Sequence, residues 1–456
     1  MTIISVLQTY NMRMRIHFLV LCLASFTSYG QFPDNSSDST KPWNLHFQFT
    51  VVDQYHPGFN AVYGGLNSLQ NTHENALTVT GTLYAGDRLW QGASVFCNPE
   101  ISGGKGFSGA TGVAGFPNGE SFRVSDPAPI VTVARLFLRQ RIDLGARSVD
   151  PLADDANQIW EKVSATNLTL TAGRIALTDM FDNNRYSHDP RTQFLNWSLM
   201  DGGAWDFPAD TRGYTYAFVL EYNLPQLSFR GAMSAEPTTA NGPNLEFQWG
   251  KAAGYTFEAE YRGSFLAGRS SVIRALLFDN FSRAGDYDQA VDAYDKGKDS
   301  SLNVNTLTSY GGSKAGFNVG FDQEITSSLG AFLRVSWNDG NSASWAFTEI
   351  DESLSFGMNL MGSLWKRKDD NVGLAVSVNG ISKAHQKFLN AGGYGFIIGD
   401  GRLTHYGTEN ILEAFYSFKV VSSIIATADY QLIGNPAYNE DRGPVNVFSG
   451  RVHVEF

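Results

Sequence analysis

The sequence predicts an all-β protein: a transmembrane antiparallel β-barrel of about 16 strands, with its long loops folded inward. Three observations predict it. Segments of about ten residues alternate apolar and polar side chains, as strands with one lipid-facing and one lumen-facing side require. Long and short connections alternate between those segments. The chain finishes on an amphipathic strand, Val445 to Phe456, whose last residue is aromatic.

The composition fits this class. A chain of 456 residues exceeds one ordinary globular core but suits one large barrel. Mean hydropathy is slightly negative, and beyond the N-terminus no apolar run has the length of a spanning helix. A formal net charge of -11 argues against a nucleic-acid partner.

Taken in order, the chain opens on a secretory signal, residues 1–30. Arg13 and Arg15 form the basic region, Ile16 to Phe26 the apolar one, and small residues lead to a cut near Gly30 and Gln31. Met12 and Met14 are alternative starts. Cys22 leaves with the signal, so Cys97 has no intramolecular partner. Residues 31–42 are polar and form a flexible lead-in, and 43–456 form a single barrel domain.

Leu45, Phe47, Phe49 and Val51 oppose His46, Gln48 and Thr50 in a strand at 43–53. Leu77, Val79 and Leu83 oppose four hydroxyl-bearing residues at 75–85. Further strands are expected at 89–97, 130–143, 167–177, 213–223, 226–234, 254–262, 270–281 and 314–323. In 328–338, Leu333, Val335 and Trp337 oppose Arg334, Ser336 and Asn338. Strands at 353–364, 371–381, 409–419, 422–433 and 446–456 follow the same rule. That gives an even number, as bacterial single-chain barrels need. The third, fifth, ninth and thirteenth connections are long, at 98–129, 178–212, 282–313 and 382–408, whereas those near Pro225, Thr326, Lys368 and Val421 are tight. Gly145 to Thr166 breaks the rule: it should be a turn but is long, which implies either a periplasmic insert or a miscounted strand.

Two long connections carry the polar chemistry. The glycine-rich run from Ile101 to Gly119 lacks a Gly-Lys-Ser/Thr and reads as a packed loop closing the barrel mouth. The run from Asp179 to Gly213 concentrates acids, amides, arginines and aromatics: Asp182, Asn183, Asn184, Arg185, Tyr186, His188, Asp189, Arg191, Asn196 and Trp197. Sugars need that combination, because their polar edges demand hydrogen bonds and their C–H faces stack on rings. The same residues also suit internal locking of the loop, and Asp182, His188 and Asp189 suit a divalent metal. In the strand 130–143, Ile130, Ala134, Leu136 and Leu138 set the outer face, so Arg135, Arg139 and Arg141 point into the lumen. Glu258 and Arg334 are lumen candidates by the same parity. No nucleophile elbow, HExxH or CxxC occurs, so neither an enzyme nor a cofactor nor a resident metal is expected.

The runs Ala172 to Arg174, Phe181 to Trp197 and Pro208 to Thr215, with Phe116 to Gly119 and Asp429 to Pro436, resemble the OprB-type carbohydrate-selective porins. The resemblance covers nearly all the mature chain. It implies a sixteen-stranded porin of the bacterial outer membrane that passes monosaccharides such as glucose by passive diffusion. Manganese is an alternative solute within that broad family, and a structural or adhesive barrel with a plugged lumen is a third reading. In the sugar reading, the loop 178–212 lies opposite Arg135 and Arg139, Trp197 or Tyr186 stacks on the solute, and Asp182 and Asp189 balance the arginines. Expected partners are the sugar, outer-membrane lipid and the barrel-assembly machinery, with the oligomeric state open. Phe456 is expected to close the barrel.

Overall fold

In the strand Leu329–Asn338, Leu333, Val335 and Trp337 are each about 40 % exposed, while Arg334 between them is 1 % exposed. Apolar groups outside and a charge inside is the reverse of a soluble sheet, and it is what a lipid-facing wall requires. The same inversion runs around the molecule: Leu354, Leu374 and Phe448 are exposed, while Thr82, Glu413 and Arg451 are buried.

The computed structural model describes residues 41–123, 128–266, 268–305 and 309–456; the signal segment and residues 31–40 of the lead-in lie outside the described residues. Sixteen antiparallel strands form one closed barrel. They are β1 (Trp43–His56), β2 (Glu74–Trp90), β3 (Ala93–Gly104), β4 (Ile130–Leu152), β5 (Glu161–Ile175), β6 (Thr215–Asn223), β7 (Leu227–Ser234) and β8 (Ala253–Gly263). There follow β9 (Ser271–Ser282), β10 (Gly312–Glu324), β11 (Leu329–Asn338), β12 (Glu352–Met361), β13 (Asn371–Gly380), β14 (Glu409–Val421), β15 (Ile424–Gly434) and β16 (Val445–Glu455). Each strand pairs with its sequence neighbours, and β1 pairs with β16 from Tyr55↔Phe448 to Gln48↔Glu455, so no edge is left open. Among the described residues, no helix is long and apolar enough to cross a membrane.

The alternation of connections holds. Tight links sit at 91–92, 224–226, 325–328 and 422–423, on the end that carries both chain ends of the barrel, and the long loops sit on the other end. Short turns mark the periplasmic end and long loops the extracellular end. The link near Lys368, expected to be tight, runs from 362 to 370 with a short helical turn at Gly362–Trp365. Three further expectations need correction. The link between β2 and β3 falls at 91–92, where Gly92 takes a φ of 76°, so β3 starts and ends later than 89–97. The connection 145–166 is no turn: β4 and β5 run on as a hairpin arm that closes at 153–160. Ala134 faces inward, buried beside Ala176 and Tyr214. Asn98 pairs with Arg135 while the next residue, Pro99, pairs with Val133, so Ala134 is the extra residue of a bulge that reverses the parity of β4.

The long loops fill much of the lumen. Phe107 and Phe116 from the loop 105–129, Phe181 and Trp205 from 176–214, Trp345 from 339–351 and Phe388 from 381–408 share one buried apolar core. The glycine-rich loop is therefore packed, as expected. Buried carboxylates then hold loop backbone. Glu409 of β14 accepts from the N–H groups of Ala114, Gly115 and Ala437. Glu413 accepts from Leu195 and Asn196, and Asp206 from Trp345, Ala346 and Phe347. Carboxyl acceptors of this kind fix loop segments that have no ladder of their own.

Candidate functional site

The space left beside the loops is a cavity of about 920 Å³. Its wall comes from β1 to β4 and β6 to β9, through residues such as Gln48, Tyr84, Glu100, Arg135, Arg139, Glu221, Arg230 and Arg274. Its other side comes from the loops 105–129 and 176–214, through Glu120, Phe122, Arg123, Asp179, Asn183, Asp201 and Arg212. Strands β10 to β16 contribute little to it, because their inward side chains anchor the loops. Arg334 donates to the carbonyls of Ser187 and Leu199, Arg451 to those of Pro190 and Gln193, and Asn359 to that of Tyr186.

The lining charges are nine arginines and eight carboxylates, with no lysine. Most are paired. Arg135 grips Asp179 through two bonds of 2.5 and 2.6 Å and lies 5.2 Å from the Tyr214 ring centroid. Arg191 reaches Glu100, Glu120, Gln48, Thr82 and Tyr84, so most of its donors are engaged in tying the loop to β1–β3. Arg230 joins Glu221, Glu258 and Glu260. Among the described residues, Arg123, Arg139 and Arg212 form no carboxylate ion pair. Arg139 rests 5.3 Å from the ring centroids of Phe96 and Phe137 and makes one hydrogen bond, to the Asn157 carbonyl. Its remaining donors are available to a solute.

Asp201 and His188 face each other across 3.8 Å, beyond hydrogen-bond reach, and among the described residues neither Asp201 oxygen nor His188 Nδ1 has another partner. Burial and the neighbouring Asp182 hold the Asp201 carboxyl well above the usual carboxylate range. Burial and Arg334 hold the His188 imidazole below its ordinary value. This buried polar pair in the channel wall was not foreseen for Asp201, whose run Leu-Met-Asp-Gly carries no distinguishing signal.

The structure sorts the expected residues. Arg135, Arg139, Asn183, Arg185, His188, Asp189, Arg191 and Trp197 line the cavity. Asp182, Asn184 and Asn196 are buried beneath the loop. Asp182 binds Arg334, Asn184 accepts from the N–H of Tyr186, and Asn196 accepts from that of Ser198. Asp179, not Asp182 or Asp189, balances Arg135; Asp189 instead accepts from Arg191 N–H and Thr192 Oγ1 in its own turn. Neither expected stacking ring is free to stack. Trp197 is 6 % exposed between Phe116 and Phe347, and Tyr186 lies under Arg185 and packs on the Phe194 and Phe332 cluster. Glu258 and Arg334 point inward as parity implied but are sealed under the loop. β16 runs to Glu455, which pairs with Gln48 of β1. Missed contributors such as Arg123, Tyr214 and Arg212 sit in loops, where no periodicity reports which way a side chain points.

Comparison with known proteins agrees with this geometry. The family model described as carbohydrate-selective porin, OprB family, matches residues 67–456. The high-pH structure of Pseudomonas putida OprB is similar with a TM-score of 0.66 at 16% identity, over 91% of this chain and 94% of that one. The low-pH structure of the same protein gives 0.48 at 12%, over 91% and 93%. The outer-membrane channel DcaP of Acinetobacter baumannii gives 0.48 at 10%, over 91% and 97%. No curated protein matches the sequence. A closed barrel of sixteen strands, a polar arginine-rich channel beside packed loops and a family match over most of the chain converge: the protein belongs to the OprB family of carbohydrate-selective porins and passes carbohydrates passively across a bacterial outer membrane.

Proposed function

We propose that monosaccharides cross along the arginine face of β4, with Arg139 as the principal hydroxyl donor. The observation that carries this reading is the state of its guanidinium: it lines the cavity, forms no carboxylate ion pair among the described residues and spends one donor on the Asn157 carbonyl. A guanidinium presents several fixed donors that grip neighbouring hydroxyls together. Arg135, already bound to Asp179, shapes the passage more than it binds the solute. Phe122, half-buried in the lining with Arg212 5.4 Å from its centroid, supplies the apolar contact for a sugar C–H face.

The chain works as a channel without catalysis, inserts with the help of the barrel-assembly machinery, and contacts outer-membrane lipid through its aromatic and aliphatic outer face. A manganese-selective channel draws less support. Among the described residues no group of three or more His, Cys, Asp or Glu side chains is placed to hold a metal; Asp182 is paired with Arg334 of β11, and Asp189 is engaged within its own turn.

Single-channel current of the purified protein, titrated with glucose, with a disaccharide and with Mn²⁺, tests the reading. Current reduced in proportion to glucose occupancy is expected. A barrel without conductance is plugged and sinks the proposal. Mn²⁺ permeation abolished by Asp182→Asn with Asp189→Asn, beside an absent sugar effect, would transfer the site to a metal.

A further inference from the structure

The arm formed by β4 and β5 departs from the barrel's pattern, and its position gives it a role. The strands stay paired out to Leu152↔Glu161, past an irregularity in which Gly145↔Thr166 is followed by Val149↔Ser164. Extra residues on one strand bend a hairpin at such a place. Beyond the bend the arm closes in a tight turn, where Asp155 and Gln158 exchange backbone hydrogen bonds of 2.9 and 3.0 Å and Asn157 takes a φ of 57°.

The tip is fastened to the barrel. Asn44 Nδ2 of β1 donates to Asp154 Oδ1 at 2.8 Å and to the carbonyls of Asp155 and Gln158 at 3.0 and 2.9 Å. His46 lies 3.3 Å from Asp154, and Arg88 of β2 donates to the Trp160 carbonyl. Arg139 donates to the Asn157 carbonyl and Arg141 to Gln158 Oε1, both at 2.9 Å. Ile159 is buried in the apolar core. The tip thus bridges β1, β2 and β4, and Ala156, Asn157 and Gln158 line the channel. Asn44, His46 and Arg88 lie near the strand ends that carry the short turns, which is the periplasmic end.

We propose that this tip is a second, periplasmic-side constriction, a size filter for carbohydrate in series with the loop 176–214. The proposal rests on the porin reading and adds to it a discrimination between small and larger sugars that the extracellular loops do not supply alone. Several fastenings to three strands make the tip a fixed part of the passage, and two narrow sections in series must both be passed.

Two variants of opposite sign test it, each checked for folding by its heat shift in detergent gels. Replacing residues 153–160 by an Asn-Gly turn removes the tip. Conductance should rise on the order of twofold, since the narrowest section dominates resistance, and disaccharide entry into liposomes should rise relative to glucose entry. Ala156→Trp adds bulk at the same point and should lower both conductance and glucose entry. If the shortened arm fails to fold, Ala156→Trp decides alone. Folded variants with wild-type conductance and a wild-type ratio of glucose to disaccharide entry would overturn the filter while leaving the porin intact. Wild-type protein that admits no sugar would overturn the porin reading itself, and the filter with it.

Discussion

Asp182 and Arg334 meet at 3.0 Å with almost no exposure of either side chain, joining the loop 176–214 to β11. Arg334 also donates to the carbonyls of Asp182, Ser187, Leu199 and Met200. One guanidinium thus gathers three stretches of the loop that narrows the channel. Removing it takes the countercharge from a buried carboxylate, which keeps only the Gly202 N–H, and takes a donor from four loop carbonyls. Arg334→Met should cost about 3–5 kcal/mol, the range for breaking a buried pair. The expected result is a lower unfolding midpoint in detergent together with larger, noisier single-channel current. An unchanged midpoint and a quiet channel would show that the loop holds its place without this pair.

The two arginines of β4 should separate by function. Arg139→Ala removes donors that are available to solute and should weaken sugar block by about tenfold, corresponding to roughly 1.5 kcal/mol for one charged hydrogen bond. Arg135→Ala removes donors already bound to Asp179 and should leave sugar block within about twofold of wild type. Both remove a positive charge from the lining, so both should shift ion preference toward cations. Reversal potentials in a salt gradient and current titrations with glucose measure the two effects. Equal effects on sugar block would return Arg139 to the role of a wall charge.

Asp201 makes stability depend on pH. Its carboxyl sits above the usual range because it is buried and lies near Asp182. The folded protein therefore holds this proton more tightly than the unfolded chain. The resulting stabilisation is fully present below the unfolded carboxylate value of about 4 and is lost as pH rises through the higher folded value. Asp201→Asn keeps the shape of the protonated group and cannot ionise. It should raise the melting temperature relative to wild type at pH 8, with the gap closing at pH 4. A gap of constant size at both pH values would place the effect elsewhere.

Assembly depends on the closing edge. β1 and β16 pair through Gln48↔Glu455, and Phe456 is the next residue. Deleting Phe456 should leave the ladder intact in any protein that folds but lower the amount of heat-shifting protein in the outer membrane, because a terminal aromatic marks the membrane interface. Replacing Val452 and Val454 by proline should instead abolish folding, since proline removes ladder donors inside the strand. Membrane fractions analysed without boiling distinguish the two. Normal abundance after deletion would confine closure to the ladder itself.

The barrel was legible in the sequence because a strand has a period of two and lipid tolerates little polarity. Leu333, Arg334, Val335 and Ser336 declare their faces without any knowledge of neighbours. Sixteen strands and alternating loop lengths follow from the same rule. Where the rule is locally broken, the sequence is silent: the bulge at Ala134 reverses parity on β4 without a residue type that announces it.

The channel itself was legible only as a set of residues. The sequence by itself identified an arginine-bearing strand and a loop rich in acids, amides and rings, and it marked 145–166 as an exception. It did not say that Asp179 rather than Asp182 meets Arg135, that Trp197 is enclosed by two other rings, or that the exceptional arm turns back to line the passage. Those outcomes depend on contacts between residues far apart in the chain, such as Asp182 with Arg334 and Asn44 with Asp154. A loop has no period to constrain its side chains. Which of its polar groups is bound and which is left for a solute is decided by the donors and acceptors that the folded wall places beside it.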